Sequence, residues 1–393
     1  MKFLNENNDL FLFNESEAKK LFFDICEKDV WQSAYTSELI CYGLLNAPIL
    51  MSQIRKDLNI SLDVSDESLE EEMEEIGLCL SVPFENGRKT FPVGGNIALS
   101  CLMQRAGFGT APVLSNYKEK KSVSVMGVED KATVLNYGLN QFKNKSLVLI
   151  RDEKVRAIHS GDEGDYQPLR FDKLNETLCK ELNKQFASCF FHEAVLNHQF
   201  FSVLYLIRDY AIETQLKDIF LKAGINLGSK IQLGCRLTSS DVGLFGANIY
   251  PYVVDEFGTY RPIGLPIKTE HRNKASLEMF ESQAKKVYSL LRDSGHVLDA
   301  MSKKRVNHPS GIVQRLGKTV GLPKKLVVVA AEDFKSSFMK PTQLDVYWKL
   351  FEILEEAKFN GKVSPAQGIN IEEFLARLIF SNMDDFDMPF NWE

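Results

Sequence analysis

The 393-residue sequence has no run approaching ~18 apolar residues, so no membrane span is expected. It has no Cys-x-x-Cys pair. Its seven cysteines, Cys26, Cys41, Cys79, Cys101, Cys179, Cys189 and Cys235, are odd in number and widely spaced. That pattern argues for reduced thiols and against a disulfide framework or a zinc site. Met1–Phe13 lacks the apolar core of a signal peptide, so a cytoplasmic protein is expected. No Gly-x-Ser-x-Gly occurs. His192-Glu193 is followed by His198, two residues too late for the one-turn spacing of a zinc protease. No metal ligand set and no cofactor site is therefore expected. No internal repeat or low-complexity linker stands out.

What is present is ordinary in bulk and uneven in detail. Hydrophobic residues make up 44% and charged residues 25%, as in typical globular chains, and the length allows two or three domains. A net charge of −6 excludes a uniformly basic nucleic-acid binder. Yet Ala300–Lys325 holds seven bases (Lys303, Lys304, Arg305, Arg315, Lys318, Lys324 and Lys325) and no acid, while Pro341–Glu393 holds ten acids against four bases. Asp63–Glu75 holds eight acids and no base, and reads as a solvated helix face, an intramolecular decoy or a protein-binding surface.

Periodicity predicts helices over Glu15–Glu27, Ser33–Asn46, Asn96–Arg105, Val128–Phe142, Phe171–Phe186, Glu213–Ala223 and Lys274–Arg292. Apolar or alternating runs predict strands at Leu147–Ile150, Val155–Ile158, Phe200–Ile207, Ile231–Leu237 and Ala247–Val254. The fold class is α+β: a central, largely antiparallel sheet with helices, flanked by helical N- and C-terminal segments. The expected division is a helical segment 1–90, a central domain 91–299, and a helical segment 300–393 that turns from basic to acidic.

The hairpin at Leu147–Ile158 carries Arg151, Lys154 and Arg156 and runs into a glycine-bearing polar loop, a form suited to an anion or, equally, to solvated arginines on a core hairpin. Gly94-Gly95 is read as a turn. Gly311–Thr319 has five residues between its glycines where a phosphate-binding loop needs four, which breaks the convergence of backbone N–H groups. The basic stretch around it is the better phosphate-neutralising signal.

Two resemblances follow from short motifs. Met383–Phe390, MDDFDMPF, resembles the tip of bacterial single-stranded DNA-binding proteins, in which a flexible acidic peptide ends in a Pro-Phe anchor. Asn391, Trp392 and Glu393 follow here, where that family ends on the Phe carboxylate. Residues 95–295 resemble a phage- and plasmid-associated family of unknown function. The similarity rests on Leu149–Ser160 with Arg151 and Arg156, on Tyr166 and Leu169, on Ser239–Gly243 leading into Ala247–Ile249, and on His271-Arg272. That family's Cys-Asn-Gly before the histidine is absent, and Pro262–Lys268 stands there. The resemblance implies a mobile-element setting inside a bacterial host cell, alongside replication, recombination or antirestriction.

The leading expectation is therefore single-stranded DNA handling. Arg151, Lys154, Arg156 and the bases of Ala300–Lys325 would contact phosphates, and Tyr250 or Tyr252 would stack bases. Asp384, Asp385, Asp387, Phe390 and Trp392 would form a tail that competes for the basic surface or recruits a replication or host-defence protein. One alternative is an enzyme with a pocket of Arg156, His159, Asp241 and His271 acting on a phosphate-containing substrate. Another is an anti-defence protein that binds a host protein. Homo-oligomerisation is left open.

Overall fold

The computed structural model describes residues 4, 9–46, 77–109, 111, 114, 126–228, 230–335 and 340–392. The acidic run Asp63–Glu75 and the terminal Glu393 lie outside them. The architecture is α+β, with a central antiparallel sheet and helical flanks.

The central sheet has seven strands. Its order is β1 (Leu10–Leu12), β8 (Cys189–Leu196), β9 (Phe201–Ile207), β10 (Gln232–Ser239), β11 (Ala247–Val254) and β12 (Tyr260–Pro262), with β13 (Ile267–Thr269) also pairing to β11. Every pairing is antiparallel. Alternation gives the two faces different chemistry. Leu233, Cys235, Leu237, Ile249 and Val253 enter the large apolar core. Arg236, Thr238, Asn248, Tyr250 and Tyr252, one step out of phase, face the other way.

The apolar face is covered by α1 (Glu15–Lys28), α4 (Phe171–Gln185), α5 (Tyr210–Lys222), α6 (Leu277–Ala284) and α7 (Val287–Lys303). Helices α8 (Pro309–Val320), α9 (Lys324–Glu332) and α10 (Gln343–Phe359) extend the same core, and α11 (Pro365–Asn382) packs on the polar face through Ala376, Glu372 and Glu373. This core runs from Leu4 to Met383 and so draws on all three segments expected from the sequence.

A smaller unit is built from 30–160. Strands β2 (Val30–Tyr35), β6 (Lys145–Arg151) and β7 (Lys154–Ser160) form one sheet, and β3 (Ile40–Gly43), β4 (Leu78–Phe84) and β5 (Gly87–Pro92) form a second. A parallel bridge, Val93 to Val155, links them. Helices α2 (Asn96–Arg105) and α3 (Val128–Leu139) complete its own apolar core.

Two expectations change. Ser33–Asn46 is not a helix but the end of β2, a 3-10 turn and β3. Leu39 and Cys41 are buried two residues apart, and the partner strands β6 and β4 fix the period-two reading over the helical one. Lys274–Arg292 is two helices, α6 and α7, broken at Lys285-Lys286, and α7 continues to Lys303. Of the apolar face expected there, Leu277, Phe280, Ala284, Val287 and Leu291, the last four are buried and Leu277 is half-buried. All seven cysteines are free. Among the described residues, no helix is long and apolar enough to cross a membrane.

Candidate functional site

The turn Ser239–Gly243, between β10 and β11, is where the two units meet. Each of its residues is committed. Ser240 Oγ donates to the Gln199 carbonyl at 2.7 Å and accepts from the Leu244 N–H at 3.2 Å. The Asp241 carboxylate takes the Arg151 guanidinium at 2.7 Å. Arg151 also forks onto Asp29, with Nε donating at 2.8 Å and Nη2 at 2.5 Å, and lies 4.9 Å from the Phe201 ring. It is 2% exposed. Burial alone would lower its pKa, but Asp29 and Asp241 reverse that and raise it. Burial pushes the Asp29 carboxyl up despite Arg151. Arg151 therefore braces the two units and has no face left for a phosphate, which corrects its expected role.

The Asp241 carbonyl oxygen holds two rings. His159 Nε2 donates to it at 2.7 Å and the Tyr166 hydroxyl at 3.3 Å. A carbonyl only accepts, so His159 carries its proton on Nε2. Tyr166 lies against His159 with ring centroids 3.7 Å apart and planes 4° apart, and His271 follows at 5.2 Å, also within 4°. Trp31 stacks 5.6 Å from Tyr166. His271 Nδ1 donates to the Gln167 carbonyl at 3.1 Å, and its Nε2 accepts from Ser239 Oγ at 3.2 Å. Burial lowers both imidazoles: His159 falls to about 4, with Asp241 opposing and His271 and Arg272 assisting, and His271 falls in the same direction. Both are neutral at neutral pH.

His159, Tyr166 and His271 wall a cavity of about 570 Å³ between the units. Arg105 comes from α2, Lys268 from β13, Arg272 from the loop after it, and Arg377 from α11. Glu270 is the one carboxylate residue in the lining among the described residues. Arg105 is anchored by Thr36, Ser146 and the Lys145 carbonyl. Arg377 is tied to the Tyr250 hydroxyl at 3.1 Å and to Glu373 at 3.5 Å. Lys268 and Arg272 are exposed.

Of the expected enzyme pocket, His159, Asp241 and His271 are brought together. Arg156 is not. It is buried, donates to His198 Nε2 at 3.3 Å and lines a separate cavity of about 280 Å³, with Val242 in the wall common to both. Lys154 lies beside it, over Gly94. Tyr250 and Tyr252 are both 0% exposed under α11, so neither ring has a free face for a base.

Part of the basic stretch is occupied by the chain's own tail. Lys303 pairs with Asp299 at 2.5 Å, Lys304 pairs with Asp384, and Arg305 donates to the Lys340 carbonyl. Asp387 accepts from the backbone N–H of Asn307 and of His308, at 3.0 and 2.7 Å, at the start of α8. Phe390 sits 5.1 Å from Arg315 and 5.7 Å from Lys318, and the Trp392 N–H donates to Gln314 at 2.7 Å. Met383, Phe386 and Trp392 pack on the large core. Asp385, Lys324 and Lys325 are exposed. Gly311–Thr319 is helical, and its glycines serve close packing. A β-carbon at Gly311 would lie 2.5 Å from the Met388 carbonyl oxygen, and one at Gly317 would lie 2.8 Å from Val327.

Arg105, Tyr166, Phe245, Lys268, Arg272 and Arg377 were not expected together as site residues. They are spread over 272 positions of chain, from 105 to 377, and no local spacing joins them. Fold and cavity together define an α+β protein with a basic, imidazole-walled cleft between two units. No family model, curated protein or solved structure matches the chain.

Proposed function

We propose that the protein binds single-stranded nucleic acid, seating one nucleotide in the cleft beside His159 and His271. The observation that carries this is the cavity's charge: four cations against one carboxylate, in a chain whose net charge is −6. Such a lining concentrates phosphate, and exposed Lys268 and Arg272 suit its entry. Tyr166 and Phe245 line the same space and give it an apolar wall. The volume falls within the ~300–1,000 Å³ of small-ligand sites. The mobile-element resemblance of residues 95–295 supports the same reading. A second reading, an enzyme acting on a phosphate-containing substrate, is favoured by one feature, the neutral His159.

Fluorescence anisotropy with single-stranded DNA and RNA at two salt concentrations tests the binding. Lys268→Ala/Arg272→Ala should weaken both, independently of sequence, and flatten the salt slope by about one to two. A double variant that binds like the wild type moves the site elsewhere. A wild type with no affinity for either strand ends the reading.

A further inference from the structure

One lining group differs from the rest in what it leaves unused. His159 commits Nε2–H to the Asp241 carbonyl, and Nδ1 takes part in no hydrogen bond among the described residues. The ring cannot swing, because Tyr166 lies flat on it. Gly243, at φ +82°, leaves the Cε1–Nδ1 edge open; a β-carbon there would lie 3.2 Å from Cε1 and 3.8 Å from Nδ1. His271, by contrast, uses both nitrogens. The Asp241 carboxylate is taken by Arg151, and Glu270 is exposed.

We infer that His159 Nδ1 is a general base and that the cleft cleaves single-stranded RNA by internal transesterification. This rests on the nucleic-acid reading above. Nδ1 takes the proton of a 2′-hydroxyl. The 2′-oxygen then bonds to the adjacent phosphorus, and the bond from phosphorus to the next nucleotide's 5′-oxygen breaks. The departing oxygen takes a proton from water, and the imidazolium returns its proton to solvent. The products are a 2′,3′-cyclic phosphate and a 5′-hydroxyl, with no redox change and no second substrate.

RNA is the matching substrate because it carries its own nucleophile. The site then has to supply only a fixed base and positive charge around the phosphorane, and it holds both. The imidazole is neutral when empty, so its lone pair is available. A phosphate bound beside it favours the imidazolium and moves the base towards its working range.

The test uses the full chain, a labelled single-stranded RNA and the same sequence as 2′-deoxy strand, with and without EDTA. The wild type should cut the RNA to cyclic-phosphate ends in EDTA, and bind the deoxy strand without cutting it. His159→Ala and His159→Gln, checked for folding by circular dichroism, should cut saturating RNA at least ~100-fold more slowly in a single turnover. Binding without RNA cleavage overturns the inference and leaves the binding reading standing. Neither binding nor cleavage removes both. Cleavage that survives in both variants, or that needs a divalent metal and leaves 5′-phosphates, also overturns it.

Discussion

His159 and Tyr166 lie face to face, 3.7 Å between ring centroids, and both donate to the Asp241 carbonyl oxygen. The phenol is thus the cover that keeps water off the imidazole. Tyr166→Ala should let the His159 pKa rise from about 4 towards 6.5, whereas Tyr166→Phe keeps the cover and should leave it low. Histidine NMR titration of the two variants reads this directly. Equal values in both would assign the shift to something other than Tyr166.

The same imidazole makes stability depend on pH. A folded pKa of about 4, below the unfolded 6.5, means the neutral form is favoured by folding. Its contribution is complete above pH 6.5 and is lost as pH falls towards 4, by roughly 3 kcal/mol for a shift of this size. His271 adds in the same direction. Glu373 acts oppositely: burial lifts it to about 7, so its contribution is complete below 4.5 and lost as pH rises through 7. Urea unfolding at pH 6.5 and 4.5 should show a smaller acid loss in His159→Gln than in the wild type, and identical losses would contradict the burial of the ring.

Arg151 should behave as a structural residue. Arg151→Ala leaves Asp29 and Asp241 buried without their cation, which typically costs ~3–5 kcal/mol. Arg151→Lys should recover part of this, since an ammonium lacks the fork that spans two carboxylates. A folded Arg151→Ala protein with wild-type stability and weakened strand binding would return Arg151 to the phosphate role.

Gly311→Ala separates the tail's two roles. Alanine improves helix α8 by ~1 kcal/mol on propensity but collides with the Met388 carbonyl. Met388–Trp392 should lift away, seen as faster proteolysis of the C-terminus and a red shift in tryptophan emission. Strand affinity should rise as Arg315 and Lys318 are uncovered. Lost stability with unchanged affinity makes the tail a strap and nothing more.

Local elements were legible where one pattern was consistent with its neighbours. Helix α2 over Asn96–Arg105 and strand β11 over Ala247–Val254 have the bounds their sequences predict. Tyr250 and Tyr252 do share a face, as alternation requires. That this face is roofed by α11 depends on residues more than a hundred positions later, and no local pattern carries it. Arg151 shows the same limit. An arginine at a strand end reads as solvent-facing until Asp29 and Asp241 arrive from distant segments. The cluster His159, Asp241 and His271 was visible as a set of residue types. The cations that give it a purpose were not, because Arg105 and Arg377 reach the cleft from helices on opposite units.

Asp241 braces the units with its carboxylate and seats two rings with its backbone oxygen. The two tasks are inherited differently. Any substitution at position 241 alters the carboxylate, but every amino acid brings a carbonyl. A lineage that lost the aspartate would lose the brace at once while still encoding the acceptor for His159 and Tyr166. The anchor of the cleft is thus written in the path of the chain, out of reach of any single codon.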